Sequence, residues 1–148
     1  GHGTENLITN FKVETRFVHD ISVEWFALHT VFAHGRGVDL AMDHHREANY
    51  SSLFTDLYLG AGMRPFASGG SKNRGPHSGA YSTFWNLHAA SPLRPPPRDF
   101  GPLLNFIGFG GEIPANPEYR WTIEHITPAK LRPANLYEAM LTRRLRRY

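Results

Sequence analysis

Short apolar runs alternate with glycine-rich and polar turns over the first two-thirds of the chain. Four of these runs resemble one another: Ile21-Ser-Val-Glu-Trp25, Leu53-Phe-Thr-Asp-Leu57, Thr83-Phe-Trp-Asn-Leu87 and Leu103-Leu-Asn-Phe-Ile107. In each, core-type and solvent-type residues partly alternate, the period of a strand with one buried face. The first three recur about thirty residues apart and the fourth follows about twenty later, a spacing in the solenoid range. Further strands fit between them. Phe11-Lys-Val-Glu-Thr-Arg-Phe17 alternates well, and Thr30-Val-Phe-Ala33 and Val38-Asp-Leu-Ala-Met42 are short pieces separated by Gly35 and Gly37. Several brief strands per repeat with glycine corners is what a stacked β-coil requires. The pattern therefore predicts an all-β chain, with a parallel β-helix as the leading architecture and a β-sandwich or jelly roll as the rival.

Two stretches read as loops, residues 64–79 around Ser68-Gly-Gly-Ser-Lys-Asn-Arg-Gly-Pro-His77 and residues 91–102 around Pro95-Pro-Pro97, because proline clusters favour extended backbone outside ladders. The C-terminus changes period. Asn135 can cap a helix beginning near Leu136, and Glu138 stands three residues on, as in a capping box. Leu136, Met140, Leu141 and Leu145 then fall mainly on one face. The expected organisation is a β-helical body over residues 1–132 and an amphipathic capping helix over 133–148, packed against the last coil or its side.

Composition narrows the function classes. The formal charge is +3, and Arg143, Arg144, Arg146 and Arg147 account for more than all of it, so the body is nearly neutral. A distributed basic face for nucleic acid is not indicated. The terminal arginines suit a helix end, whose dipole favours positive charge. The chain has no cysteine, which excludes disulfides, zinc-thiolate sites and thiol nucleophiles within it. No apolar run approaches the roughly 20 residues needed to cross a bilayer, so no membrane partner is expected. The start, Gly1-His2-Gly3, lacks an initiator methionine and is expected to be a processed terminus or a segment of a longer protein.

The densest polar cluster is Gly35-Arg-Gly-Val-Asp39-Leu-Ala-Met-Asp43-His44-His45-Arg46. On one strand Asp39 and Asp43 would share a face about 13 Å apart, wider than the roughly 5–9.5 Å of a glycosidase carboxylate pair. An acid from a neighbouring coil could come closer, since stacked strands lie about 4.8 Å apart; Asp56 and Glu24 are read as equivalent outward positions of their repeats. Two stacked acids could hold a hard cation such as Ca²⁺ or perform acid–base chemistry. His44 and His45 point to opposite faces of a strand and suit hydrogen bonding or proton transfer better than shared ligation of one metal. Arg36, Arg64, Lys72 and Arg74 lie in or beside glycine-rich turns, where guanidinium forks could take carboxylate or sulfate. Trp25, Trp85, Tyr58 and Tyr81 offer faces for sugars or for the core.

With those residues in view, a family resemblance emerges. Phe17-Val-His19-Asp20-Ile-Ser-Val-Glu24, Gly35-Arg-Gly-Val-Asp39, Met42-Asp43-His44-His45-Arg46, Leu53-Phe-Thr-Asp56, Gly60-Ala-Gly62-Met-Arg64-Pro-Phe66, Arg74-Gly-Pro-His77 and Thr83-Phe-Trp85-Asn86 resemble the C-terminal coils of bacterial pectate-lyase-like β-helix proteins. Pro133-Ala-Asn-Leu136-Tyr-Glu138-Ala-Met-Leu141 resembles the closing helix of an uncharacterised domain at the end of such proteins. The resemblance implies a right-handed parallel β-helix and a lyase or glycosidase of acidic glycans, or a non-catalytic carbohydrate-binding or capping module. It also implies an extracellular or periplasmic setting. Neither the paired-aspartate pattern of polygalacturonases nor a clear pectate-lyase arginine motif is present. The candidate catalytic residues are Asp39, Asp43, His44, His45 and Arg46, with Arg36, Arg64, Arg74, His77 and Trp85 as substrate-binding support. A chain of this length makes only a few coils, so the expected partners, besides a polysaccharide, are the rest of a longer β-helix or further copies of the chain.

Overall fold

A computed structural model describes residues 4–14, 21–23, 27–37, 40–44, 50–60, 66–70, 79–98 and 100–147. The strands are β1 (Leu7–Lys12), β2 (Ile21–Val23), β3 (Val31–Gly37), β4 (Leu40–His44), β5 (Leu53–Leu59), β6 (Phe66–Gly70), β7 (Thr83–His88), β8 (Asn105–Phe109) and β9 (Thr122–Glu124), followed by helix α1 (Leu136–Leu145). The protein is mostly β. Six strands form one sheet in the order β1-β3-β5-β7-β8-β9 and three form another in the order β2-β4-β6. Every strand pairing is parallel. Until β7 the chain visits the two sheets alternately, and a third line of parallel bridges joins Thr4, Leu28, Tyr50 and Ala80. This arrangement is consistent with a parallel β-helix.

The larger sheet owes its regularity to a motif that shifts the inward-facing residues from a spacing of two to a spacing of three. Ile8-Thr-Asn-Phe11, Phe32-Ala-His-Gly35, Phe54-Thr-Asp-Leu57, Phe84-Trp-Asn-Leu87 and Phe106-Ile-Gly-Phe109 lie in register. The third residue of each motif has positive φ, between 52° and 69° at Asn10, His34, Asp56, Asn86 and Gly108. Asn, Asp, His and Gly are the residues that enter this left-handed region most readily. One such residue in mid-strand breaks simple alternation, so that Phe54 and Leu57 both point inward. A second left-handed position two residues before each strand, at Glu5, His29, Ser51, Tyr81, Leu103 and Arg120, turns the chain into the sheet.

Phenylalanines fill the interior. Phe32, Phe54, Phe84 and Phe106 stack in sequence with ring centroids 5.4, 5.0 and 4.9 Å apart and nearly parallel planes. From the smaller sheet, Phe66 meets Phe84 and Phe106 edge-on. Past β6 the smaller sheet has no further strand among the described residues. There the proline-rich stretch supplies Leu93 and Phe100, both buried, and Phe100 packs on Phe66 and Phe84.

The structure corrects several expectations. Ile21–Val23 is not a counterpart of Leu53 and Thr83: it pairs with β4 in the smaller sheet, and the counterpart is Val31. Glu24 lies outside the described residues; the register places His34 and Asn86 beside Asp56. Gly35 and Gly37 do not separate strands but lie within β3. The ring of Phe11 covers Gly35 so closely that a Cβ there would meet it at 2.2 Å. The first strand is Leu7–Lys12 rather than one starting at Phe11, and β8 starts at Asn105 because Leu103 forms the turn. Within the expected loop 64–79, Phe66–Gly70 is a strand, paired along its length with β4; ladder bonds outweigh the poor strand propensity of Ser-Gly-Gly. Asn135 caps α1 as expected, accepting from the Glu138 N–H at 3.1 Å. Of the four apolar residues expected on one face of α1, Leu136 is half-buried beside β5, but Met140, Leu141 and Leu145 are 60%, 41% and 65% exposed.

After β9 the chain makes a short 3-10 turn at Pro128–Lys130 and buries Leu131 against Gly108. A Cβ on Gly108 would lie 2.4 Å from Leu131, and φ there is +69°. Gly108→Ala should therefore cost about 1–3 kcal/mol, measured as a lower urea midpoint at unchanged m-value.

Candidate functional site

The outward face of the larger sheet carries two neighbouring columns of polar side chains. The left-handed column gives Asn10, His34, Asp56 and Asn86; two residues further along each strand are Lys12, Arg36, Tyr58 and His88. Adjacent rungs are one strand spacing apart, about 4.8 Å, so residues 22 or 30 positions apart in sequence meet. His34 Nδ1 donates to Asp56 Oδ2 at 2.7 Å. His88 Nε2 lies 3.4 Å from Asp56 Oδ1, and Asn86 Nδ2 donates to the same oxygen at 3.5 Å. The Asp56 side chain is 17% exposed and that of His34 is 62% exposed. The carboxylate is thus recessed and fixes an imidazole that stands in solvent. A neutral His34 that donates through Nδ1 keeps Nε2 as an acceptor.

Around this group lies a groove of about 440 Å³, lined on its other side by Lys12, Arg36 and Tyr58. The Arg36 guanidinium sits 5.0 Å above the Tyr58 ring centroid, and the Tyr58 ring is tilted against His88 at 5.5 Å. Lys12 is paired with Glu14 at 2.6 Å.

The segment leading into α1 crosses this face and is tied to it at three points. Trp85 Nε1 donates to the Pro133 carbonyl at 2.7 Å, Asn86 Nδ2 donates to that of Ala134 at 2.9 Å, and the Leu136 N–H donates to Thr55 Oγ1 at 2.9 Å. Asn86, 2% exposed, bridges Asp56 to the crossing segment. A second groove, of about 860 Å³, opens between α1 and the sheet, and His34 and Asp56 belong to its lining too.

Of the residues singled out in the sequence, Arg36 lines the first groove. Trp85 instead anchors the crossing segment. Asp43 and His44 lie on β4, where their register partners on β6 are Gly69 and Gly70, so that neighbour brings no second acid. Asp39, His45, Arg46, Arg64, Lys72, Arg74 and His77 lie outside the described residues. Among the described residues, no group of three or more His, Cys, Asp or Glu is arranged to hold a metal ion, and none of them supports the calcium expectation. Sequence reasoning missed His34, Asn86 and His88, and read Asp56 and Tyr58 only as separate outward or aromatic positions. The signal that unites them is the repeated apolar-x-[Asn/His/Asp/Gly]-x motif, which aligns the left-handed column without coordinates.

No protein-family model matches the chain, and no curated protein or solved structure matches it. These comparisons identify no pectate-lyase-like family, and the function rests on the site itself.

Proposed function

We propose that this chain winds as a right-handed parallel β-helix and cleaves acidic polysaccharides by β-elimination in the groove at His34 and Asp56. The observation that carries the reading is the Asp56–His34 hydrogen bond beside Arg36 and Tyr58 in one groove. A uronic-acid unit would place its carboxylate against Arg36, which withdraws charge and makes the proton on the adjacent carbon removable. His34 Nε2 takes that proton, with Asp56 holding the ring and balancing the imidazolium charge. The electron pair left on carbon forms the double bond to the neighbouring carbon, whose bond to the glycosidic oxygen breaks, and the Tyr58 hydroxyl protonates the departing oxygen. Polymers of this kind suit an extracellular or periplasmic setting.

One observation favours a second reading, hydrolysis. Glu138 lines the larger groove with Asp56, and two facing carboxylates are the usual glycosidase set. Asp56 is engaged by two imidazoles and an amide, which suits an orienting role better than an acid–base one. The products decide. Incubation with polygalacturonate, alginate and chondroitin sulfate should generate unsaturated chain ends, seen as rising ultraviolet absorbance. New reducing ends without unsaturation would mean hydrolysis, and binding without either product would mean a non-catalytic glycan-binding module.

A further inference from the structure

We infer that the inner face of α1 is a second binding subsite, continuous with the His34–Asp56 groove, which holds the acidic groups of a polyanionic glycan running past Asp56 in both directions. This rests on the reading of the groove as a glycan site and adds where the chain lies and that it is cut internally.

The helix is turned the wrong way for a structural amphipath. An ordinary surface helix buries its apolar stripe and exposes its charges. Here Thr142, Arg143, Arg146 and Arg147 line the groove against the sheet, while Met140, Leu141 and Leu145 face solvent. Its entry is fixed by the bonds from Trp85, Asn86 and Thr55 and by the Asn135 cap. The inner face, where Thr142 and the arginines stand beside Ala139 and the Pro133-Ala134 segment, is therefore set by the fold and leaves a wide channel instead of a packed contact.

Both grooves include His34 and Asp56 in their walls, so they form one path with cations at each end: Arg36, with Lys12 in its pair with Glu14, beyond one side of Asp56, and Arg143, Arg146 and Arg147 at the C-terminal end of α1 beyond the other. Arginine forks match carboxylate and sulfate geometry. A ligand that reaches both sets must pass over Asp56, so the reacting bond lies within the chain. A nucleic-acid strand fits less well. Such grooves depend on open aromatic platforms for the bases, and the Tyr58 face carries Arg36. Glu138, also in the lining, is the one α1 side chain there that opposes an anion.

The test compares Arg146→Ala with Arg144→Ala, an equal charge change on the same helix at a position outside the groove lining. Affinity for long polygalacturonate, alginate or chondroitin sulfate chains should fall about threefold to tenfold in Arg146→Ala and stay within about twofold in Arg144→Ala. Glu138→Gln should tighten binding. Turnover of a short oligosaccharide should be unchanged in Arg144→Ala. Equal losses from the two arginines, no binding of any of these glycans by the native protein, or tighter binding of a single-stranded oligonucleotide would each overturn the subsite. Loss of affinity confined to Arg146→Ala in a protein that turns over none of the glycans would remove the elimination reading and leave the subsite standing.

Discussion

Phe84→Ala should lower the free energy of unfolding by about 3–5 kcal/mol, the largest stability effect expected of one substitution here. Phe84 is 1% exposed and lies between Phe54 and Phe106 with centroids at 5.0 and 4.9 Å. Phe66 and Phe100 close on it from the other wall at 5.6 and 6.2 Å. Truncation removes ring contacts to two strands of the larger sheet, to the smaller sheet and to the proline-rich stretch together. The neighbouring rings are held by ladder hydrogen bonds, so the cavity cannot close by a small shift. Against a total stability of about 5–15 kcal/mol, the loss should appear as a large drop in urea midpoint with little change in m-value. Tyr81→Ala, at an exposed turn, is the control and should move stability by no more than about 0.5 kcal/mol. A loss below about 1 kcal/mol at Phe84 would mean that the stack is not the core.

The second large effect concerns turnover. His34→Asn should reduce elimination about 10²- to 10⁴-fold, the range for a general base, and Asp56→Asn should do so nearly as strongly. Asparagine suits both positions because it enters the left-handed region at little cost, so the backbone at φ 52° and 54° should survive and the chemistry alone should change. Asp56→Asn keeps the shape of the side chain but removes the charge that balances the imidazolium and frees His34 to take another tautomer. The two losses should not add, because the residues act as one unit. The measurement is the rate of appearance of unsaturated ends, with circular dichroism and urea midpoints as checks on folding. Turnover within threefold of the native rate in both variants would assign the pair a structural role only.

The all-β character and the terminal helix were legible in the sequence because local rules govern them. Asn135 and Glu138 mark a helix start by capping, and Leu53–Leu57 and Thr83–Leu87 mark strands by partial alternation. Register was not legible from the apparent thirty-residue recurrence. Contacting residues of the larger sheet are 24 apart at Asn6 and Thr30, 22 at His34 and Asp56 and 30 at Asp56 and Asn86. The connecting stretches vary in length while the paired strand is constant, so a fixed period selected Ile21 where Val31 was correct. The candidate site was hidden for the same reason. Contiguous clusters such as Asp43-His44-His45-Arg46 catch the eye, whereas His34, Asp56 and Asn86 come together only once the strands are stacked. Arg36 was legible because a glycine on each side exposed it as a candidate.

The left-handed column also limits how this surface can be diversified. At positions 10, 34, 56 and 86 the backbone accepts chiefly an amide, a carboxylate, an imidazole or bare glycine, so a designer works there with a four-letter alphabet, and a library over the four rungs stays small enough to screen completely. The neighbouring positions 12, 36, 58 and 88 are not left-handed, so their backbone restricts the side chain far less, proline excepted because it would remove a ladder hydrogen bond. New specificities are best sought by fixing the restricted column as a reactive spine and randomising the column beside it.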